Sequence, residues 1–278
     1  YECRDWYSGY RLYQKGSIMM FLATFIASFI FFNLFFVIAQ LKKNNGLADM
    51  AWGLGFIVVA VTSLVYQSTY ELHQLIITLL VVMWGLRLFY HIGLRNWKAK
   101  EDFRYVNMRQ KWGKHVHLKA YVIVFMLQMS FMYIVSLPIQ IANFYTINQD
   151  ITSFILIGLG VMLWVFGFYF EARGDHELKQ FKKDPANKGK ILTSGLWKYT
   201  RHPNYFGEAV MWWGIWIISL STMSWFAVIG IISPLFMNYL LRYVSGVPLL
   251  EKRYANNDAF QEYAKQTSIF IPKRPKKQ

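Results

Sequence analysis

Acidic side chains are scarce: 15 Asp and Glu stand against 30 Lys and Arg in 278 residues, a formal net charge of +15. Charge of either sign is thin as well, at 16% of residues, where a soluble domain carries roughly a quarter. Cysteine occurs once, as Cys3, which excludes an intrachain disulfide and a cysteine-rich metal site. Neither a G-x-G-x-x-G nor a Walker-type glycine loop occurs, which removes the soluble nucleotide folds that depend on them. There are no alternating segments of about ten residues, so a transmembrane barrel is excluded. The chain is instead 55% hydrophobic and 19% aromatic, and its apolar residues come in long blocks between basic stretches. That is the pattern of an integral membrane protein, since about 20 apolar residues are needed to cross the hydrocarbon core as a helix.

The apolar blocks at 17–40, 48–66, 74–92, 118–140, 151–170, 206–221 and 225–244 predict an all-α protein of about seven spans. The last two are joined through Ser221-Thr222-Met223 and read as a tight helical hairpin. Pro138 and Pro234 are expected to end or kink their helices. Block 17–40 is too long for the apolar core of a signal peptide, and no small-residue cleavage site follows it. It reads as a retained span. The first residue is Tyr1, not Met, consistent with processing of the start. With no internal repeat, the expected organisation is one membrane domain over 1–278. Helices of 17–170 would line a lipid-accessible cavity, and 171–278 would form the cofactor end.

Basic residues mark one side. Segment 93–119 carries Arg95, Lys98, Lys100, Arg104, Arg109, Lys111, Lys114 and Lys119 against Glu101 and Asp102. Segment 171–205 and the tail after Lys252 are also rich in lysine, while the loops at 67–73, 142–150 and 219–224 hold no Lys or Arg. The positive-inside rule then places the C-terminus in the cytoplasm and the N-terminus outside, with Arg4, Arg11 and Lys15 opposing the second placement. Topology and anionic lipid account for the net charge, and no nucleic-acid-binding signature is present. Nucleic acid is therefore not an expected partner; membrane lipid is.

Ionisable groups at membrane depth are costly and call for a partner or a cavity. Asp49 and Glu171 lie near span ends, where they can snorkel to water. In "MWGLRLFYHIGLRN", Arg87, Tyr90, His91 and Arg95 recur every three or four residues and share one helical face. Such a stripe lines a cavity or forms an interhelical hydrogen-bond cluster. His115 and His117 lack a third ligand and are expected at the surface, so no metal site is expected. Trp212, Trp213 and Trp216 point in different directions and read as packing and interfacial residues.

The richest stretch is "FEARGDHELKQFKKDPANKGKILTSGLWKYTRHPNYFGE". Glu171, Asp175 and Lys179 fall on one helical face. Asp184-Pro185, Asn187-Lys188-Gly189 and Ser194-Gly195 mark turns, and Pro203 opens the next helix. Arg201 and His202 then sit at the mouth of that helix, whose first amides favour an anion. Asn204 and Glu208 lie one turn further in. Cations, a helix N-terminus and convergent Asn and Glu suit a ligand with phosphate or carboxylate plus sugar hydroxyls.

Together "GLWKYTRHPNYFGE", "SGVPLLEKRYANNDAFQEYAKQTSIFIP", "DMAWGLGF", "WGLRL" and "EDFRY" closely resemble an uncharacterised bacterial membrane family. That family is related to the C-terminal domain of the steroid 5-alpha-reductases and to the sterol C14 and delta-7 reductases. The wider fold group includes the isoprenylcysteine carboxyl methyltransferases, which share an Arg-His-Pro-x-Tyr element. The resemblance implies membrane helices with a cofactor pocket open to the cytoplasm, in a bacterial plasma membrane. It implies NADPH held by Glu171, Asp175 and Lys179, by Arg201, His202, Asn204, Tyr205 and Glu208, and by Arg242, Glu251, Arg253, Tyr254 and Tyr263. The reaction it implies is hydride transfer to an activated C=C bond of a hydrophobic small molecule, with Tyr90 as the donor to the substrate oxygen and Arg87 or His91 beside it. A second-span Glu of the steroid reductases has no counterpart here, since Asp49 and Tyr66 occupy other depths. The substrate is thus left open between a steroid and another enone or polyprenoid-like lipid. The alternative is an S-adenosylmethionine-dependent methyltransferase of a lipidic substrate. A transporter would show broken helices in repeated halves, which this sequence lacks.

Overall fold

The computed structural model describes residues 2–96, 101 and 103–275, with side chains at 2–15, 94–96 and 103–104 left aside. Of the basic and polar residues named above, Lys98, Lys100 and Asp102 lie outside the described residues, as do the side chains of Cys3, Arg4, Arg11, Lys15, Arg95 and Arg104. The described chain is helical, and its sole β-pairing is an isolated parallel bridge between Thr200 and Ser268. Among the described residues six helices are long and apolar enough to cross a membrane, the marks of an integral membrane protein. By contact density the chain divides into two compact units: 1–153 with 219–230, and 154–218 with 231–278.

The first unit holds α1 (Glu2–Leu41), α2 (Leu47–Gln67), α3 (Leu72–Asn96), α4 (Phe103–Trp112), α5 (Val116–Lys119), α6 (Leu127–Val135) and α7 (Leu137–Phe144). Helices α2 and α3 approach through paired glycines: a Cβ on Gly85 would lie 2.7 Å from the Gly53 carbonyl oxygen. Interfaces of this kind use small residues because apolar side chains gain little by leaving lipid.

The block expected as one span at 118–140 breaks at Ser136. Pro138 then sits in the first turn of α7, whose residues from 138 to 144 are all buried. This short helix is held by polar groups rather than by length. Asn143 Nδ2 donates to Ser63 Oγ (2.8 Å) and to the Ala60 carbonyl (3.1 Å). Gln74 Nε2 donates to the Asn143 carbonyl at 2.8 Å, and His73 Nε2 lies 2.9 Å from that of Ala142. Satisfying polar groups inside is what lets irregular backbone persist at membrane depth.

The second unit holds most of α8 (Ile151–Lys183), α9 (Pro203–Leu220), α11 (Ile232–Tyr239), α12 (Val247–Arg253) and α13 (Asp258–Gln266). The short α10 (Trp225–Ile229) belongs to the first. Helix α8 begins where Asp150 Oδ1 accepts the Ser153 amide at 2.8 Å and ends before Asp184-Pro185. At 1.5 Å per residue its 33 residues reach about 50 Å, well beyond the ~30 Å hydrocarbon core. Its last third, which carries Asp175 and Lys179 and begins just after Glu171, therefore exceeds the length a hydrocarbon core needs. The expected span at 206–221 corresponds to α9, which is absent from the six because Asn204 and Glu208 make its first turns polar. Between α9 and α10 the chain turns through Met223 at φ +50, and the Ser224 side chain caps α10. After α11 the helix widens into a π-turn over Leu240–Val244.

Candidate functional site

Helices α8 and α9 cross on glycine. A Cβ on Gly160 would meet the Gly214 carbonyl oxygen at 2.6 Å, and one on Gly167 would meet that of Gly207 at 2.5 Å. One heptad further, Gly174 faces Pro203 and the Asn204 amide, 3.0 and 3.2 Å from its virtual Cβ. The close crossing sets the first turn of α9 against the acidic part of α8. Asn204 Nδ2 donates to Asp175 Oδ1 at 3.0 Å, and Glu171 and Glu208 are both buried.

The loop leading into α9 is tied down at three levels. Gly195 is left-handed (φ +60) and lies against the Glu177 carboxylate. That carboxylate accepts the Leu196 amide at 2.9 Å and Arg173 Nε at 2.8 Å. The i,i+4 ion pair on this helix is thus Arg173–Glu177. Trp197 is buried and donates to the Gly174 carbonyl at 3.1 Å, while Tyr263 Oη donates to the Trp197 carbonyl. Burial raises the Tyr263 phenol above its usual range, so it stays a donor. Beyond it, the Arg201 amide donates to Ser268 O (2.8 Å) and Thr200 Oγ1 to Phe270 O (2.7 Å).

Glu251 is the hub. Its carboxylate accepts Arg201 Nε at 2.8 Å and Nη2 at 3.2 Å, and lies 3.1 Å from His202 Nε2. Arg201 Nη1 is spent on the Ala264 and Thr267 carbonyls, at 2.8 and 3.2 Å. This guanidinium therefore clamps α12 and α13 to the loop and has little left for a ligand. Burial, opposed by Glu251, pushes the His202 pKa below its ordinary 6.5. A neutral ring that donates Nε2–H to Glu251 leaves Nδ1 as an acceptor. His202 Nδ1 and Asn204 Oδ1 are both buried and have no hydrogen-bond partner among the described residues. The His202 ring stacks on Tyr205, centroids 5.6 Å apart.

A cleft of about 540 Å³ opens over this hub. Lys182, Lys183, Lys188 and Lys190 line it together with His202, Glu251, Tyr254 and Tyr263. Tyr254 stacks on Phe260 at 5.2 Å, giving an aromatic wall. Cations beside buried acceptors suit a polyanion bearing hydroxyl or amide donors, which is the chemistry of a nicotinamide dinucleotide. The residues present fit such a group.

Not every residue expected at the site gathers there. Of the residues expected to hold the cofactor, Arg201, His202, Glu251, Tyr254 and Tyr263 line the cleft, whereas Glu171, Asp175, Asn204, Tyr205 and Glu208 do not, nor do the exposed Lys179 and Arg253. Arg242 lines a different cleft, of about 560 Å³. Arg87, Tyr90 and His91 stand on α3 in the first unit, with Arg87 and His91 half-buried and Tyr90 66% exposed. His117 Nδ1 meets Gln40 Oε1 at 2.9 Å. The clamp of Arg201 by Glu251 and the loop anchor of Glu177 escaped sequence reading.

The chain belongs to the family described as "Protein of unknown function (DUF1295)", whose model matches residues 35–267. It is 25% identical over 241 residues to an uncharacterised protein of Schizosaccharomyces pombe, covering 76% of this chain and 70% of that one. It is 30% identical over 113 residues to 3-oxo-5-alpha-steroid 4-dehydrogenase 1 of Bos taurus, 41% of this chain and 40% of that one. A shorter match, 41% identical over 49 residues, links it to a probable O-methyltransferase of Ustilaginoidea virens, 18% of this chain and 17% of that one. The chain thus spans less than half the length of the steroid dehydrogenase. No solved structure matches. The relation to steroid reductases that the motifs implied is borne out.

Proposed function

We propose that this protein is an NAD(P)H-dependent membrane reductase, an oxidoreductase that acts on an activated C=C bond of a hydrophobic, steroid-like or other enone substrate. The observation that carries the reading is the cleft that gathers Lys182, Lys183, Lys188 and Lys190 with His202, whose buried Nδ1 has no hydrogen-bond partner among the described residues. Similarity to 3-oxo-5-alpha-steroid 4-dehydrogenases supports it. When bound, the nicotinamide supplies a hydride. Lys182, Lys183, Lys188 and Lys190 bind its phosphates, a pattern that favours NADPH over NADH. His202 and Asn204 accept hydrogen bonds from it, while Asp175 orients Asn204. Tyr90 donates to the substrate oxygen, with Arg87 and His91 alongside. In this reading 1–278 is one membrane domain: helices of 17–170 line a lipid-accessible cavity, and 171–278 holds the cofactor. The membrane is a bacterial plasma membrane with the C-terminus in the cytoplasm.

The methyltransferase match keeps S-adenosylmethionine as the second reading. Electrostatics opposes it, because a lysine-walled cleft attracts a polyanion and repels a sulfonium cation. The test is to heat purified protein in detergent with NADPH, NADH or S-adenosylmethionine. NADPH is expected to raise the midpoint most, with Asn204→Ala weakening its binding about tenfold by removing one hydrogen-bond acceptor. A shift with S-adenosylmethionine and none with either nicotinamide would overturn the reductase reading.

A further inference from the structure

The second cleft of the 154–218 and 231–278 unit asks for a different occupant. Its about 560 Å³ lie between α9, α11 with its π-turn, and the C-terminal segment from Ser268 to Lys273. The walls are apolar: Phe206, Val210 and Trp213 come from α9, Leu235 from α11, and Phe270 and Ile271 from the segment. On α9 these residues occupy the face turned away from Asn204 and Glu208, at 100° per residue. The cleft is therefore separate from the nucleotide site.

Its polar groups are few and graded along its length. Arg242 and Lys273 line it, and no Asp or Glu does. Both cations belong to the loop end. The Lys273 amide donates to the Tyr199 carbonyl at 2.9 Å, and the charge of Arg242 is felt at His202. Trp213 lies ten residues into α9 and Leu235 seven residues before Arg242, so the opposite end is apolar. Between them Asn238, one turn before Arg242, keeps a buried Oδ1 with no hydrogen-bond partner among the described residues. Arg242 meets the Tyr243 ring at 5.1 Å and has no carboxylate partner among the described residues. The outer rim is aromatic and open: Tyr239 is 54% and Tyr243 64% exposed, the placement of an interfacial belt.

An apolar trough, a central acceptor and a basic, aromatic mouth at the membrane surface match one kind of molecule. We propose that this cleft binds an anionic phospholipid of the surrounding leaflet. One acyl chain lies against Trp213 and Leu235, the phosphate meets Arg242 and Lys273, and a headgroup hydroxyl donates to Asn238 Oδ1. The basic leaflet side of the protein is where anionic lipid would be drawn. The occupied cleft would brace the C-terminal segment, which also pairs with Thr200 and Arg201.

The test uses the full chain, stripped of lipid in detergent and given phosphatidylglycerol, phosphatidylcholine or inorganic phosphate. Native mass spectrometry counts bound lipid. Phosphatidylglycerol is expected to be retained about tenfold more strongly than phosphatidylcholine, as two interfacial cations allow, and millimolar phosphate should not displace it. Arg242→Gln with Lys273→Gln should abolish the preference; Val210→Trp, which fills the trough, should lower retention of both lipids. Should the double variant melt below the wild type without lipid, the exposed Lys273→Gln alone decides and should cut the preference several-fold. Equal retention of the two lipids, a preference that survives these substitutions, or displacement by free phosphate would overturn the proposal.

Discussion

Glu251 joins three segments of chain through one carboxylate, and the chemistry of that junction is set by what surrounds it. Arg201 is only 10% exposed on its side chain and Glu251 23%. Glu251→Gln would leave a nearly buried guanidinium without its counter-charge. The cost should be about 2 kcal/mol, between the value of an exposed pair and that of a fully buried one. Thermal unfolding in detergent measures it, and an unchanged midpoint would mean the clamp is ornamental. His202 gives a pH signature of opposite origin. Its pKa in the folded protein is below 6.5 because burial disfavours the imidazolium. The unfolded chain thus binds the proton more readily, so stability is fully present above about 6.5 and is lost as the pH falls below it. Melting curves from pH 8 to pH 5.5 should show the decline, and His202→Asn should flatten it. A decline of equal size in the variant would assign the effect to other groups.

Glycines govern the elements that carry these residues. Gly207 faces the Gly167 carbonyl and the Glu171 amide, both backbone, so neither neighbour can swing away from a new methyl. Gly207→Ala is expected to cost about 1–3 kcal/mol through overpacking and to weaken nucleotide binding by parting α8 from α9. Gly158→Ala is the control: it sits on the same α8 with nothing within 4 Å of its virtual Cβ, and its midpoint should match or exceed the wild type. Equal behaviour of the two variants would refute the crossing. Much at this scale was readable in advance. Apolar runs located the starts of α2, α3 and α8 and the end of α1 to within a few residues, and Pro203 located the start of α9. Three features were not. The break at Ser136 depends on Asn143, Gln74 and His73 finding partners on other helices, which no local window reveals. The glycine spacing of seven in 160, 167 and 174 was in the sequence, but its meaning needs the matching 207 and 214 on a second helix. Arg201 looked like a ligand-binding cation because its true partners, Glu251, Ala264 and Thr267, lie 50 residues and more away.

For the molecule as a whole, the decisive property is which side of the membrane the lysine-walled cleft opens on, because NADPH is made and kept in the cytoplasm. Helix α8 fixes the comparison. Its 33 residues exceed the hydrocarbon thickness, so its two ends must emerge on opposite sides. The end near Asn148 has no Lys or Arg in 142–150, whereas the end near Ala186 is followed and preceded by lysines. The positive-inside rule predicts that the Ala186 end lies in the cytoplasm, along with Lys182, Lys183, Lys188 and Lys190. Both positions are exposed, and Ala186 is absent from the cleft lining, so a cysteine at either should be tolerated. In a Cys3→Ser background, which leaves no other thiol, Asn148→Cys should react with a membrane-impermeant maleimide on intact cells. Ala186→Cys should react only after the membrane is opened. The reverse pattern would turn the cleft away from any nicotinamide pool and remove the physical basis of the reductase reading, however well its residues suit the ligand.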